Sequence, residues 1–191
     1  MGKIRSLVWT CTLALNALLP GCHEGDFRPV TPEDTSRATT SLESGATYKL
    51  GMPIEFRSGG NSEPFRVGGW SGTQIDHTWT EGSAASLKFE GINQRGPLLF
   101  KMTIFGAVNG EIVPSQPVAV YANGQKVADW NVAALDHFTA TIPAALNVAG
   151  RTLNIELRIP RAFSPLQSGS GTDPRLLGLC AYSAQIDQAP E

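Results

Sequence analysis

Histidine and cysteine are both scarce in this chain of 191 residues, which has three of each. Neither a His-x-His nor a His-Glu-x-x-His spacing occurs, so the sequence predicts no zinc site, and we expect no metal or other cofactor. A Gly-x-Ser-x-Gly motif, the mark of one class of serine nucleophile, is also missing. Without a metal set or a recognisable nucleophile and base, we expect a protein that is not an enzyme. A hydrolase or transferase that uses two spatially paired carboxylates stays open as an alternative.

An excess of positive charge is lacking as well. The chain has 15 Lys and Arg against 17 Asp and Glu, a formal net charge of −2. Nucleic-acid binding requires a clustered basic patch, which this sequence does not have, so we expect no nucleic-acid partner. Long hydrophobic runs are missing too. The longest, from Leu7 to Leu19, is interrupted by Thr and Asn and is shorter than the roughly 20 apolar residues that a membrane-spanning helix needs.

That apolar run does fit an export signal. Lys3 and Arg5 precede it, and a basic start, a short apolar core and a small-residue cut site are the three parts of a secretory signal. The cut site, Leu19-Pro20-Gly21-Cys22, resembles the lipobox of bacterial lipoproteins. The resemblance implies a signal peptide at residues 1–21 and a diacylglyceryl group on Cys22, which anchors the chain to a membrane. The alternative is a secreted protein with a chance cysteine.

The residue after the lipidated cysteine bears on location. In sorting of the enterobacterial type, Asp at that position retains a lipoprotein at the inner membrane. His23 stands there in this chain. By that resemblance we expect a lipid anchor in the outer membrane, facing the periplasm.

The three cysteines have separate fates in this interpretation. Cys11 leaves with the signal and Cys22 is lipidated, so Cys180 is the one free thiol of the mature chain and no intramolecular disulfide is available. Cys180 lies in the apolar run 176–182, which predicts a buried small side chain rather than a reactive nucleophile. Removal of the signal takes away two basic residues and no acid, leaving 13 basic against 17 acidic side chains.

Residues 22–46 are rich in Thr, Ser, Pro, Glu and Asp and have few large apolar side chains. Such a segment buries too little apolar surface to offset the entropy of ordering, so we expect a flexible tether. A flexible chain of this length has a mean reach of about 25–30 Å.

Residues 47–188 have the sequence pattern of one all-β domain, because short apolar segments alternate with clusters of Gly, Pro, Asn and Ser. Arg151–Ile159 alternates apolar and polar residues with a period of two, and Asn123-Gly124 predicts a tight type I′ turn. We expect an antiparallel β-sandwich of a jelly-roll, galactose-binding-like type with eight or nine strands. The predicted strands are Pro53–Phe56, Phe65–Trp70, Ala85–Phe89, Pro97–Val108 (buried on both faces), the hairpin Val118–Trp130, Phe138–Ile142, Arg151–Ile159 and Leu176–Ile186. A turn of helix is possible at Asn131–Leu135 and at Ala144–Val148.

Three segments in order resemble a carbohydrate-binding-like β-sandwich module of the kind found beside bacterial membrane glycosyltransferases, phosphoglycerol transferases and exopolysaccharide proteins. They are Gly69-Trp70-Ser71 with Trp79-Thr80-Glu81-Gly82, then Val118–Gly124 with Trp130, and Ser164-Pro165 with Asp173–Gly178. The resemblance implies a non-catalytic, glycan-binding domain. Gln74 departs from the pattern, which has an acid between the two tryptophans.

The candidate ligand-binding residues are Trp70, Gln74, Asp76, His77, Trp79, Asp173 and Arg175. Indole rings offer flat apolar faces to a sugar ring, and the polar side chains offer hydrogen bonds to its hydroxyls. Each has a plainer alternative. Either tryptophan could fill the core, and Asp173 with Arg175 could form a structural ion pair.

From these residues we expect a membrane-anchored lipoprotein that binds a polysaccharide and assists cell-envelope or exopolysaccharide synthesis or export. Its partners would be the membrane, through Cys22, with a polysaccharide and a membrane protein of glycan synthesis or export as further possibilities. A scaffold that docks to an envelope complex without binding sugar is the main alternative.

Overall fold

The computed structural model describes residues 46–110 and 112–190. The chain divides into two units, residues 1–41 and 42–191, and the described residues belong to the second. The predicted signal peptide, the lipidation of Cys22 and nearly all of the predicted tether lie outside the described residues. Within the described part of the chain, no helix combines the length and apolar character needed to cross a bilayer.

Ten β-strands and two short 3-10 turns form the regular structure of the described residues. The turns are Glu63–Phe65 and Ala144–Leu146. The strands are β1 (Ile54–Glu55), β2 (Arg66–Gly68), β3 (Thr78–Glu81), β4 (Ala84–Phe89), β5 (Leu98–Gly106), β6 (Gln116–Ala122), β7 (Gln125–Val132), β8 (Asp136–Ile142), β9 (Leu153–Arg158) and β10 (Leu177–Gln188).

The strands form two five-stranded antiparallel sheets. In the front sheet, β10 pairs with β5 along one edge and with both β1 and β3 along the other, and β8 pairs with β5. The back sheet has the order β2-β4-β9-β6-β7. The predicted antiparallel β-sandwich is therefore confirmed, with ten strands in place of the expected eight or nine.

The core lies between the sheets and follows from period-two alternation. In β9, Leu153, Ile155 and Leu157 are buried against it, while the residues between them point outward, as predicted. Full burial of a side chain of this size stabilises the fold by about 1.5–3 kcal/mol. The same alternation in β4 places Leu87 and Phe89 in the core.

β5 departs from the prediction of a strand buried on both faces. Its inward residues are buried, but alternate residues are partly exposed on the outer face of the front sheet. The apolar run Leu98-Leu99-Phe100 hides this alternation in the sequence, because an apolar side chain stands at an outward position. The partly exposed residues are Leu99, Lys101, Thr103 and Phe105.

Two predicted turns are confirmed and one is wrong. Asn123 and Gly124 have φ values of 47° and 82°, as a type I′ turn requires. The helical turn predicted at Ala144–Val148 is present as the 3-10 turn at Ala144–Leu146. Asn131–Leu135 is not helical, because β7 continues to Val132, which is buried in the core.

The segment from Phe65 to Trp70 is not one strand. Glu63–Phe65, which contains Pro64, forms a 3-10 turn, and β2 then covers only Arg66–Gly68. Gly69 ends the strand with a φ of 74°, and a Cβ atom on it would lie 1.9 Å from the carbonyl oxygen of Ala84. This close approach requires glycine.

Candidate functional site

β3 is a short strand whose alternation was not predicted, and it sets the direction of Trp79. Thr78 and Thr80 are fully buried. The Thr78 hydroxyl donates to the carbonyl oxygen of Phe56 at 2.7 Å, and the Thr80 hydroxyl accepts from the backbone N–H of Leu179 at 2.8 Å. Because neighbouring side chains in a strand point to opposite faces, Trp79 lies on the outer face of the front sheet.

Trp79, His77 and Tyr182 form an aromatic cluster on this outer face. The ring centroids of His77 and Trp79 are 5.9 Å apart at 88°, and those of His77 and Tyr182 are 5.8 Å apart. All three side chains are partly exposed. Trp79 is the cross-strand partner of Cys180, whose partner on the other side is Phe105, so the same face carries a fourth aromatic ring.

Asp76 and His77 lie side by side. An extended segment would point them to opposite faces, but the chain bends here, and the Asp76 Oδ1 and His77 Nδ1 atoms are 2.5 Å apart. Two backbone hydrogen bonds involving Gln74 hold this loop, one from the N–H of Ser58 to its carbonyl oxygen and one from its N–H to the carbonyl oxygen of His77. Gln74 is exposed in the same loop.

Cys180 is 2% exposed, which confirms the prediction of a buried thiol, although it lies on the outer face rather than between the sheets. Burial raises the pKa of the thiol to about 11; a hydrogen bond with Tyr182 opposes this shift and the charge of Asp76 adds to it. A thiol that stays protonated at neutral pH is a poor nucleophile.

A groove of about 310 Å³, here named the polar groove because six of its nine lining residues are polar, begins at Ser183, the residue after Tyr182. The Ser183 hydroxyl donates to Thr103 Oγ1 at 3.0 Å, and His137 Nδ1 lies 2.9 Å from the same oxygen. Sequence reasoning missed this groove. The sequence pattern that could have revealed the groove is the occurrence of polar residues at alternate positions of β5 and β10, within segments that are otherwise apolar. The groove is lined by Pro53, Lys101, Met102, Thr103, His137, Thr139, Ser183, Ala184 and Gln185.

Trp70 does not join the aromatic cluster. Its backbone pairs with Thr80, so its side chain shares the inward direction of Thr80. The indole packs against Phe56, with ring centroids 4.9 Å apart, and its N–H donates to the carbonyl oxygen of Ser86 at 2.8 Å. The exposed edge of the ring lines a separate groove of about 260 Å³ with Arg66.

Asp173 and Arg175 form a two-pronged ion pair. Arg175 Nη2 lies 2.6 Å from Asp173 Oδ2, and Arg175 Nε lies 3.0 Å from Asp173 Oδ1. The pairing lowers the pKa of the Asp173 carboxyl and raises the pKa of the Arg175 guanidinium, which the charge of Glu81 raises further. The Ser164 hydroxyl donates to the carbonyl oxygen of Asp173, so the backbone of Asp173 closes the loop that begins at Ser164.

The candidate site is therefore the outer face of the front sheet, from Glu81 through the aromatic cluster to the polar groove. It combines flat partly exposed rings with hydroxyl, imidazole and amide groups that donate and accept hydrogen bonds. Among the described residues, no three His, Cys, Asp or Glu side chains are grouped to hold a metal ion.

Comparison with protein-family models and with curated proteins found no match. Solved structures with similarity include the C-terminal CBM6 of LamC, a marine laminarinase from Zobellia galactanivorans (12% identity, 72% of this chain and 98% of that chain, TM-score 0.43). Another is the carbohydrate-binding module CBM36 in complex with calcium and xylotriose (12% identity, 71% of this chain and 99% of that chain, TM-score 0.42). A third is BtGH115A, a GH115 4-O-methyl-α-glucuronidase (8% identity, 76% of this chain and 18% of that chain, TM-score 0.46). At these identities and TM-scores, the similarities assign the chain neither a family nor a ligand.

Proposed function

We propose that the outer face of the front sheet binds a glycan. The observation that carries this proposal is the aromatic cluster of His77, Trp79 and Tyr182 placed next to the polar groove on one sheet face. A sugar ring has an apolar C–H surface and a rim of hydroxyls, so its recognition needs a flat aromatic ring beside hydrogen-bonding groups. Trp79 supplies the flat ring in this proposal, and Thr103, His137 and Ser183 supply the polar contacts.

The wider role in the proposal is that of a lipoprotein, anchored through Cys22 in the outer membrane, that assists polysaccharide synthesis or export at the cell envelope. The position of the site supports it. The segment from Ala46 to Met52 lies near the end of β10, where the Tyr48 hydroxyl accepts from the N–H of Ile186. Trp79 pairs with Cys180, six residues earlier in β10, which corresponds to about 20 Å. A tether that joins the domain at residue 46 would leave the aromatic cluster accessible.

A second candidate is protein docking, and one observation favours it. Ile75 is 88% exposed in the loop that carries Asp76 and His77. An apolar side chain at this position could insert into a partner of an envelope complex. A pull-down of the lipidated protein from membranes would distinguish the two functions. If the protein docks through Ile75, a membrane partner should be captured by the Trp79→Ala variant but not by the Ile75→Ser variant.

Affinity electrophoresis tests the glycan proposal. Purified protein is run through gels that contain a neutral, an acidic or an amino-group-bearing bacterial polysaccharide, with a gel free of polysaccharide as reference. Retardation by at least one polysaccharide, relieved by adding its oligosaccharides, is the expected result. Unchanged mobility in every gel would contradict the proposal.

A further inference from the structure

The aromatic cluster is flanked by two carboxylates. Glu81 follows Trp79 by two positions in β3, so its exposed side chain lies on the same outer face. On the other side, Asp76 is paired with His77 and its side chain is 67% exposed. Trp79 therefore lies between two acids on one strip of surface.

Three cations of the front sheet and its loops are paired with other carboxylates. Lys101 Nζ lies 2.7 Å from Asp187 Oδ2, Arg57 pairs with Glu55 at 2.8 Å, and Arg175 pairs with Asp173. In the part of the chain that the structure describes, neither Asp76 nor Glu81 has a Lys or Arg partner within ion-pair distance. The strip around Trp79 thus carries two carboxylates that no Lys or Arg side chain pairs with, whereas Lys101 and Asp187 pair with each other beside the groove.

The charge of Asp76 reaches the cluster, and that of Glu81 reaches Arg175. The charge of Asp76 contributes to the raised pKa of both Cys180 and Tyr182, after burial in each case. Glu81 contributes to the raised pKa of Arg175, after the larger effect of Asp173. Negative charge near these groups also attracts a cationic group of a ligand that covers them.

We propose that this face selects glycans that carry free amino groups. The proposal rests on the glycan-binding function above and names the class of sugar. An ammonium group over an indole is held by the negative face of the ring, and Trp is the strongest partner for this contact. Glu81 and Asp76 would accept charge-assisted hydrogen bonds from the same ammonium group or from the ammonium group of the next sugar in the glycan. A uronic acid at this position would meet like charge, and an N-acetyl group would lose the attraction.

The test compares oligomers of glucosamine, oligomers of N-acetylglucosamine of equal length and oligomers of galacturonic acid, by isothermal titration against the full chain. We expect the glucosamine series to bind at least about tenfold more tightly than either of the others, with affinity that falls as salt is added. Glu81→Gln and Asp76→Asn should each weaken glucosamine binding by about threefold to tenfold.

Glu156→Gln is the matched control, because Glu156 is a carboxylate on the outer face of the back sheet. Its affinity for glucosamine oligomers should equal that of the wild type, and near-ultraviolet circular dichroism verifies that each variant is folded. Equal or tighter binding of the acetylated or acidic series would overturn the amino-sugar inference while glycan binding stands. The absence of binding to all three series and to the polysaccharides of the electrophoresis panel would overturn both.

Discussion

Trp79 and Cys180 are direct partners across β3 and β10, and both side chains lie on the outer face of the front sheet. The thiol is nevertheless 2% exposed, whereas the indole is partly exposed. Tyr182, two residues further along β10, is close enough to the thiol to influence its pKa. The aromatic cluster is therefore a partly exposed surface with a buried thiol beneath it.

The first prediction concerns the reactivity of Cys180. Because burial raises the pKa of its thiol to about 11, the thiolate is scarce at pH 8 and alkylation in the folded protein should be slow. Tyr182→Ala should accelerate the reaction by removing part of the cover. Mass spectrometry of the peptide that contains Cys180, after timed exposure to iodoacetamide, measures both rates. Rapid alkylation of the folded wild type would contradict the burial of the Cys180 thiol.

The second prediction concerns the buried hydroxyl of Thr80. Thr80→Val preserves the shape of the side chain but leaves the N–H of Leu179 without its acceptor. The free energy of unfolding should fall by about 1–3 kcal/mol, the cost of an unsatisfied buried donor. Thr141→Val, at an exposed position of β8, should change it by less than about 0.5 kcal/mol. Urea titrations of the two variants and the wild type give the comparison, and equal losses would argue against an inward Thr80.

The third prediction is a dependence of stability on acid pH. Arg175 lowers the pKa of Asp173 below its ordinary value of 3.8, so the folded protein holds this proton less tightly than the unfolded chain does. The stability due to the pair is present above pH 3.8 and is lost as the pH falls through the lower pKa of the folded state. Asp173→Asn should therefore have a flatter Tm profile between neutral pH and about pH 2 than the wild type. Parallel profiles would contradict a stabilising pair.

The acid dependence should not vanish in that variant. Lys101 lowers the pKa of Asp187 in the same direction, and this second ion pair lies on the outer face of the front sheet, away from the loop that Asp173 closes. Asp187→Asn combined with Asp173→Asn should remove more of the acid dependence than either change alone. Thermal unfolding followed by circular dichroism measures all four proteins under one protocol.

Much of the sandwich could be predicted from local pattern. The alternation of Leu153, Ile155 and Leu157 and the Asn123-Gly124 turn depend on neighbouring residues alone, and both predictions are confirmed. β5 was predicted as buried on both faces because apolar side chains occur at inward and outward positions alike. Periodicity cannot show which face of a sheet lacks a covering layer.

The composition of the site was less accessible to sequence reasoning. Asp76, His77 and Trp79 are close in the chain, and the structure brings them together on one face. Tyr182 joins them only through the register of β3 on β10, which depends on pairing between distant segments. Trp70 points inward because its backbone pairs with Thr80, a relationship that the spacing of the two tryptophans does not reveal.

The most direct test of the central claim is affinity electrophoresis of Trp79→Ala in a gel that contains the polysaccharide that retards the wild type most. Trp79→Phe keeps a flat ring, and Tyr121→Ala removes an aromatic side chain from the outer face of the back sheet. We expect Trp79→Ala to lose affinity by at least about tenfold, Trp79→Phe to lose less, and Tyr121→Ala to migrate as the wild type does. Wild-type retardation of a folded Trp79→Ala variant would show that this face is not where the glycan binds.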